Sequence, residues 1–484
     1  MAQTFNLIIR NATIIDGSGA ERRQGDVAIA DDRIARIGDL GSAQARQEVD
    51  AEGRVLAPGF IDAHTHDDRL LLSHGDMSPK VSQGVTTIVG GNCGISLAPM
   101  PRRIPDPVTP PLDLLDESGG WFRFSRFGDY LDAVRETPPA TNCAMLVGHT
   151  SLRVATMDSL DRPATTREVA AMRSLVEEAM QAGAIGVSTG LAYENAFSAP
   201  TEEVIAVCAP LSEYRGLYCT HMRNEGDTID DALHETFRIG RALNVPVVIS
   251  HHKLMGKRNH GRSKETLALI REHMQDQSIC LDCYPYTAAS TVLTPDMVEA
   301  ARRTTISWSK GLPQYAGRDF AEVVRELGGS QEEAFRRLLP AGAIYHSMDE
   351  DDVEAILAFE PTMIGSDGLP HDVKPHPRLW GTFPRVLGHY SRDQGLFSLE
   401  TAVHKMTGLS AQNFGLAERG LIREGYFADL TLFDPDTVAD VTSFEDSVQA
   451  SAGIEFVMVN GRMVWQDGRA TGERPGRVLG REAA

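Results

Sequence analysis

Eight apolar runs recur through the middle of the chain, and most end in polar residues. They are FIDAHTH (60–66), TTIVGGNCG (86–94), NCAMLVGHT (142–150), AIGVSTGL (184–191), LYCTHMR (217–223), PVVISHHK (246–253), ICLDCYPY (279–286) and TMIGSDG (362–368). Their apolar residues are consecutive rather than alternating, which marks strands covered on both faces, as in parallel sheets. Amphipathic segments with a helical rhythm separate several of them, among them TTREVAAMRSLVEEAMQAG (165–183) and TIDDALHETFRIGRAL (228–243). This alternation predicts an α/β fold built on a (β/α)8 TIM-like barrel. The gap from Tyr286 to Thr362 is too long for one connection and predicts an inserted subdomain, 287–345, between barrel strands 7 and 8. The Pro-rich stretch APMPRRIPDPVTPPLDLLD (98–116) predicts an extended loop over the barrel mouth.

The two ends follow a different pattern. Short strands punctuated by Gly and Asp run through FNLIIRNATIIDG, GDVAIADDRIARIG and EVDAEGRVLAPG, and again through ADLTLFDPDTV and FVMVNGRMVWQDG, where Asn460-Gly461 is a hairpin signal. Neither end can bury a core alone, so the two are expected to pair into one small β-sandwich. The predicted division is 1–58 and 414–484 for the β domain and 59–413 for the barrel.

Composition narrows the function. The 484 residues, 42% hydrophobic and 24% charged, are ordinary for a globular protein. A formal net charge of −20 excludes a nucleic-acid partner, which needs a surplus of Lys and Arg on one face. No stretch approaches the length of an apolar membrane span, and no targeting segment opens the chain, so a cytoplasmic enzyme without a membrane partner is expected. The six cysteines, Cys93, Cys143, Cys208, Cys219, Cys280 and Cys283, are scattered and do not form a disulfide framework. Cys280 and Cys283 lie within a strand-like run, which argues against a redox or zinc role for that pair. The sequence carries no signal of oligomeric state.

The candidate chemistry lies at the strand ends, where barrels place catalytic side chains. His64 and His66 end the first run and Cys93 the second. His221 ends the fifth, His251 or His252 the sixth, and Asp367 the eighth. Two histidines at a strand end have a plain structural reading as hydrogen-bonded caps, but five runs ending in imidazole, thiolate or carboxylate do not. That ligand mixture selects zinc over magnesium or calcium. One zinc on Cys93, His221 and a histidine of the sixth run would leave a position for water, while His64, His66 and Asp367 hold a second, weaker ion or shape the approach to the first. Zinc brings the pKa of bound water towards ~7. With Asp367 as general acid/base, the reaction is hydrolysis. No GxGxxG opens a helix, which disfavours hydride transfer.

The blocks NATIIDG, PGFIDAHTH, GSDG and FADLTLFD…VNGRMVW resemble those of the amidohydrolase superfamily. Within it, GNCGISLAP, STGLAY, THMRNEGD, ISHHKLMGK, DCYPY and IGSDGLPHD…HPRLWGTFPRVLGHY are similar to the N-acyl-D-amino-acid deacylases, or D-aminoacylases, over almost the whole chain. The resemblance implies hydrolysis of an N-acyl-D-amino acid to a carboxylate and the free D-amino acid. It implies tight zinc binding by Cys93, His221 and His251, a site completed by His64, His66 and Asp367, and Asp367 as the acid/base. It also implies that Lys253, Tyr284 and Arg378 bind the substrate carboxylate, although Arg378 has a structural alternative in pairing with Asp372. The fourth run has no Lys to bridge two metals as in many relatives, and Cys93 would take that place. This departure weighs against the alternative of a hydantoinase- or dihydroorotase-like cyclic-amide hydrolase.

Tyr193 is expected to line the side-chain pocket or the oxyanion side. GLAYENAF and HHKLMG suggest an apolar pocket suited to D-Met, D-Leu or D-Phe derivatives, and equally suit core packing. Arg153 is the candidate cation for an acidic side chain. His149 is a candidate for orienting a ligand from behind, and His252, which alternation turns to the opposite face, is read as structural.

Overall fold

The computed structural model describes residues 5–482, so the outermost positions of the two predicted β segments, 1–4 and 483–484, lie outside the described residues. Strands β1 (Phe5–Ile14), β2 (Arg23–Ala30), β3 (Arg33–Gly38), β4 (Ala45–Asp50) and β5 (Val55–Pro58) form the N-terminal part of the small domain. The barrel follows with β6 (Phe60–Asp62), β7 (Val85–Gly90), β8 (Asn142–Gly148), β9 (Gly186–Gly190), β10 (Leu217–His221), β11 (Val247–Ile249) and β12 (Ile279–Cys283). After β13 (Ala288–Val292), β14 (Arg303–Ser309) and β15 (Ala341–His346), β16 (Thr362–Ile364) is the eighth barrel strand. The chain closes with β17 (Leu430–Phe433), β18 (Ile454–Val459), β19 (Arg462–Gln466) and β20 (Arg469–Ala470).

All eight apolar runs are barrel strands, paired in parallel in the order β16-β12-β11-β10-β9-β8-β7-β6. Every strand, or the residue before it, sends a side chain into one interior cluster, including Ile61, Val89, Leu146, Ile185, Cys219, Val248, Cys280 and Met363. Phe414, at the end of the helix Gly408–Phe414, packs into the same cluster. The barrel is therefore a packed core, with its chemistry confined to the rim. Among the described residues no ladder joins β16 to β6. That seam is held by Ala63 N–H to Ile364 O (3.1 Å) and by a bridge between Thr65 and Gly368. The intervening helices are built conventionally. Thr166–Ala182 starts at Thr165, whose hydroxyl accepts the Glu168 N–H while the Glu168 carboxylate accepts the Thr165 N–H, and it ends at Gly183 with φ +115°.

The chain's two ends pair into one continuous sheet. Its first half joins its second where β5 lies antiparallel to β17, Leu56 opposite Leu432. The sheet branches at β1, which pairs with β4 along its first half and with β5 at its end. The sheet encloses Leu7, Ile9, Val27, Ile29, Leu430, Leu432, Phe456 and Met458. Between β12 and β16 the chain builds a separate antiparallel sheet, β13-β15-β14, around its own apolar cluster. The Pro-rich loop lies against segments that follow β8 and β9. Arg102 donates to the carbonyls of Thr156 and Met157, and Asn195 donates to the Pro110 carbonyl.

Candidate metal centre

The six predicted ligands converge. His64, His66, Cys93 and Asp367 offer donor atoms that lie within 4.8 Å of one another, and so do Cys93, His221 and His251, with Cys93 common to both sets. Cys93 Sγ lies 3.2 Å from His64 Nε2 and 3.2 Å from His251 Nε2. Asp367 Oδ1 lies 3.2 Å from His66 Nε2 and 3.6 Å from His64 Nε2. His64, His66, Cys93 and His251 are buried, while the His221 and Asp367 side chains keep 12% and 10% exposure, which marks the open side.

Charge in this cluster is organised around the anions. Burial pushes the Cys93 thiol up, but the neighbouring imidazoles of His64 and His251 outweigh it and hold the thiol well below its ordinary value. Burial likewise opposes ionisation of Asp367, yet the Arg378 guanidinium and His66 hold its carboxyl well below the carboxylate range. His66 is lowered by burial and raised more strongly by Asp367 and Cys93, to about 9. A thiolate, a carboxylate and imidazole nitrogens that face one another in a dry rim fit a zinc ion as a donor set.

Groups behind the ligands orient them. Asp282 lies 3.4 Å from His64 Nδ1 and accepts the His251 N–H at 2.9 Å. Glu225 stands 3.0 Å from His251 Nδ1 and 3.6 Å from His221 Nε2. Carboxylates in this position fix ring orientation and raise ligand basicity. Sequence reasoning missed both. Asp282 had a signal, since it stands two residues after the interior-facing Cys280 on the same strand. Glu225 lies in a loop, where no periodicity points to it.

The three predicted carboxylate binders also meet. The Tyr284 ring lies 4.5 Å from the Arg378 guanidinium carbon and 5.8 Å from Lys253 Nζ. Arg378 donates from Nη2 to Asp367 Oδ2 (2.9 Å) and to the Ser290 carbonyl (3.0 Å), so its ion-pair partner is Asp367. Its Nε and Nη1, with the Tyr284 hydroxyl, are buried without partners among the described residues. Lys253 Nζ is closer to the metal side, 2.6 Å from Glu225 and 2.7 Å from His251 Nδ1. The Tyr193 ring packs 4.9 Å from His221, tilted by 54° to it, and its hydroxyl lies 3.3 Å from Thr291 in the inserted sheet.

Arg153 and His149 stand away from the site, and His252 is structural, as its alternation with His251 predicts. Arg153 is fully buried, paired with Glu203, and donates to the carbonyls of Asn195, Leu160 and Arg162, so its charge is matched and four of its five N–H donors are held inside the protein. His149 lies 3.6 Å from Glu203, burial pushes it below its ordinary value, and it does not back a ligand. His252 turns away to Thr266 (3.0 Å), and burial pushes it down to about 4. Met255, from HHKLMG, packs with Tyr284, Tyr286, Ala289 and Met348 in an apolar wall beside the clamp.

The sequence profile of the Amidohydrolase family matches residues 47–465. D-aminoacylase of Alcaligenes xylosoxydans xylosoxydans is 60% identical over 483 residues, covering 100% of this chain and 99% of its own. A solved D-aminoacylase structure, described by a binuclear metal centre with one-metal activation and second-metal attenuation, is 59% identical with a TM-score of 0.96, covering 99% of this chain and 100% of its own. N-acyl-D-glutamate deacylase of Bordetella bronchiseptica, solved with zinc and a phosphonate inhibitor, is 44% identical with a TM-score of 0.94 and the same coverage. The barrel, the donor cluster on its rim and near-complete identity of length with these relatives place the chain in the amidohydrolase family, within its D-aminoacylase branch.

Proposed function

We propose that this chain hydrolyses N-acyl-D-amino acids with apolar side chains to a carboxylate and the free D-amino acid, at a zinc centre held by Cys93, His221 and His251, with His64, His66 and Asp367 forming a second, weaker position. Bound zinc would supply water acidified towards a pKa of ~7 and polarisation of the amide carbonyl. Asp367 takes the water proton and returns it to the leaving nitrogen. Its carboxyl is ionised at neutral pH and so can accept a proton, while Arg378 and His66 hold its two oxygens in place. The unpaired Nε and Nη1 of Arg378 and the Tyr284 hydroxyl receive the substrate α-carboxylate, with Lys253 adding charge. Tyr193 closes the site against His221.

Chirality follows from three fixed points: the donor cluster at the amide, the clamp at the carboxylate and the apolar wall at the side chain. The wall of Met255, Tyr286, Ala289 and Met348 carries no charge, and Arg153 is taken by Glu203, which favours D-Met or D-Leu over an acidic residue. The observation that carries this reading is the six-donor cluster beside the unpaired donors of Arg378 and Tyr284.

The test is amine release from N-acetyl-D-methionine, N-acetyl-L-methionine and N-acetyl-D-glutamate, with and without a chelator. Release from D-methionine alone, abolished by chelation and restored by zinc, is expected. Equal release from both enantiomers would refute the three-point clamp. A preference for D-glutamate would refute the neutral pocket.

A further inference from the structure

Lys80 is fully buried behind the metal ligands, in the short helix Ser78–Val81 between β6 and β7. Its ammonium uses all three donors, on Asp62 Oδ2 (2.8 Å), Ser366 Oγ (2.8 Å) and Thr65 Oγ1 (3.0 Å), and lies 3.3 Å from Asp67. Asp62 accepts the Ser366 N–H (2.8 Å), the Ser366 hydroxyl (2.6 Å) and the His64 N–H (3.3 Å). Ser366 Oγ in turn accepts the Gly368 N–H at 3.1 Å. One cation therefore grips Asp62 and Thr65, beside His64 and His66, and Ser366, next to Asp367.

That position coincides with the unladdered seam of the barrel. Elsewhere, neighbouring strands are registered by a ladder of backbone bonds. Between β16 and β6 the backbone supplies only a few, including Asp367 N–H to His64 O (2.7 Å) and His66 N–H to Gly368 O (3.1 Å). Those bonds fix the backbone beside Asp367, His64 and His66, and the Lys80 knot adds side-chain links that reach both strands. A compact ammonium suits it, since it satisfies a carboxylate and two hydroxyls at once and offsets Asp62 and Asp67, which burial alone would make costly.

We propose that Lys80, acting through Asp62 and Ser366, is the positioning residue that holds the Asp367 carboxylate against His64 and His66, leaving the Cys93–His221–His251 position to other elements. The proposal rests on the reading of Asp367 as the acid/base. Lys80 touches neither substrate nor ligand atoms.

Ser366→Ala removes the hydroxyl that joins Lys80 and Asp62 to the eighth strand but leaves the Ser366 N–H on Asp62 and the Lys80–Asp62 ion pair, while Lys80→Met removes the ammonium and keeps the stem. Both would be compared with Asp367→Asn for kcat and KM on N-acetyl-D-methionine. The near-ultraviolet thiolate-to-cobalt absorption of cobalt-loaded protein would report the Cys93 position. In Ser366→Ala and Lys80→Met, kcat is expected to fall on the order of 10–100-fold, with KM within about threefold and the thiolate band retained. A kcat within about twofold of the parent in Ser366→Ala would overturn the proposal. So would loss of the thiolate band in step with kcat, because the knot would then support the whole rim. If Lys80→Met does not fold, Ser366→Ala decides. Parental activity in Asp367→Asn would overturn the acid/base reading instead, which separates the two failures.

Discussion

Cys93, His251 and Asp367 all sit in the left-handed backbone region, with φ of +52°, +36° and +47°. For residues with a Cβ this costs on the order of 1–3 kcal/mol each and persists only where the surroundings over-determine the backbone. Each stands just past a strand end, where the chain leaves the sheet and must turn its side chain to a common point. The strain and the ligand role therefore share one origin. Cys93 belongs to both donor sets, so Cys93→Ala should lose metal from both, measured by elemental analysis after dialysis. Full zinc occupancy in that variant would break the assigned set. Asp367→Asn keeps the shape of the side chain but removes the base. It should retain metal at Cys93, His221 and His251 while kcat drops by roughly 10²–10⁴-fold. A rate close to the parent's would assign the proton transfer to another group.

At the scale of elements, the rim depends on backbone approach that only glycine allows. A Cβ on Gly190, the last residue of β9, would meet the Cys93 carbonyl oxygen at 2.2 Å and the Tyr193 ring at 2.7 Å. Gly190→Ala must therefore displace either the turn that carries Cys93 or the ring that packs on His221. Metal affinity is expected to fall on the order of 10–100-fold, read by competition with a chromophoric chelator. Thr165→Ala is the contrasting case. It removes one half of a capping box on an outer helix, so it should lower stability by about 1 kcal/mol in denaturant unfolding and leave kcat unchanged. A change in kcat there would mean that the outer helices feed strain into the rim.

At the scale of the whole molecule, the eight strands were legible because parallel barrel strands are apolar on both faces, and the ligands because they end those strands. Lys80, Glu225 and Asp62 were not legible, since a buried charge is recognised by its partners and no periodicity points to them: Lys80 meets Ser366 across 286 residues, and Glu225 stands in a loop. Arg153 was misread for the same reason, because Glu203 was out of view. Such partnerships also set the pH response of the fold. Asp113, in the buried turn Leu112–Leu114 of the Pro-rich loop, is pushed up to about 7 by burial and then by the nearby Asp372 and Glu117. Asp372, in the loop after β16, is likewise pushed up to about 7, chiefly by burial. Both folded values lie above the ordinary 3.8, so the folded state binds more protons than the unfolded chain between about 4 and 7. The stability that each contributes is fully present below about 4 and is lost as pH rises through about 7. Asp113→Asn removes that dependence without removing volume. The melting-temperature difference between variant and parent, with metal saturating, should therefore shift in the variant's favour from pH 5 to pH 8. Taking the difference cancels the groups that titrate in the window without touching Asp113, while Asp372, relieved of a neighbouring charge, shifts in the same sense. A difference independent of pH would show that Asp113 ionises at its ordinary value and that the loop over the barrel mouth is not held by a protonated carboxyl.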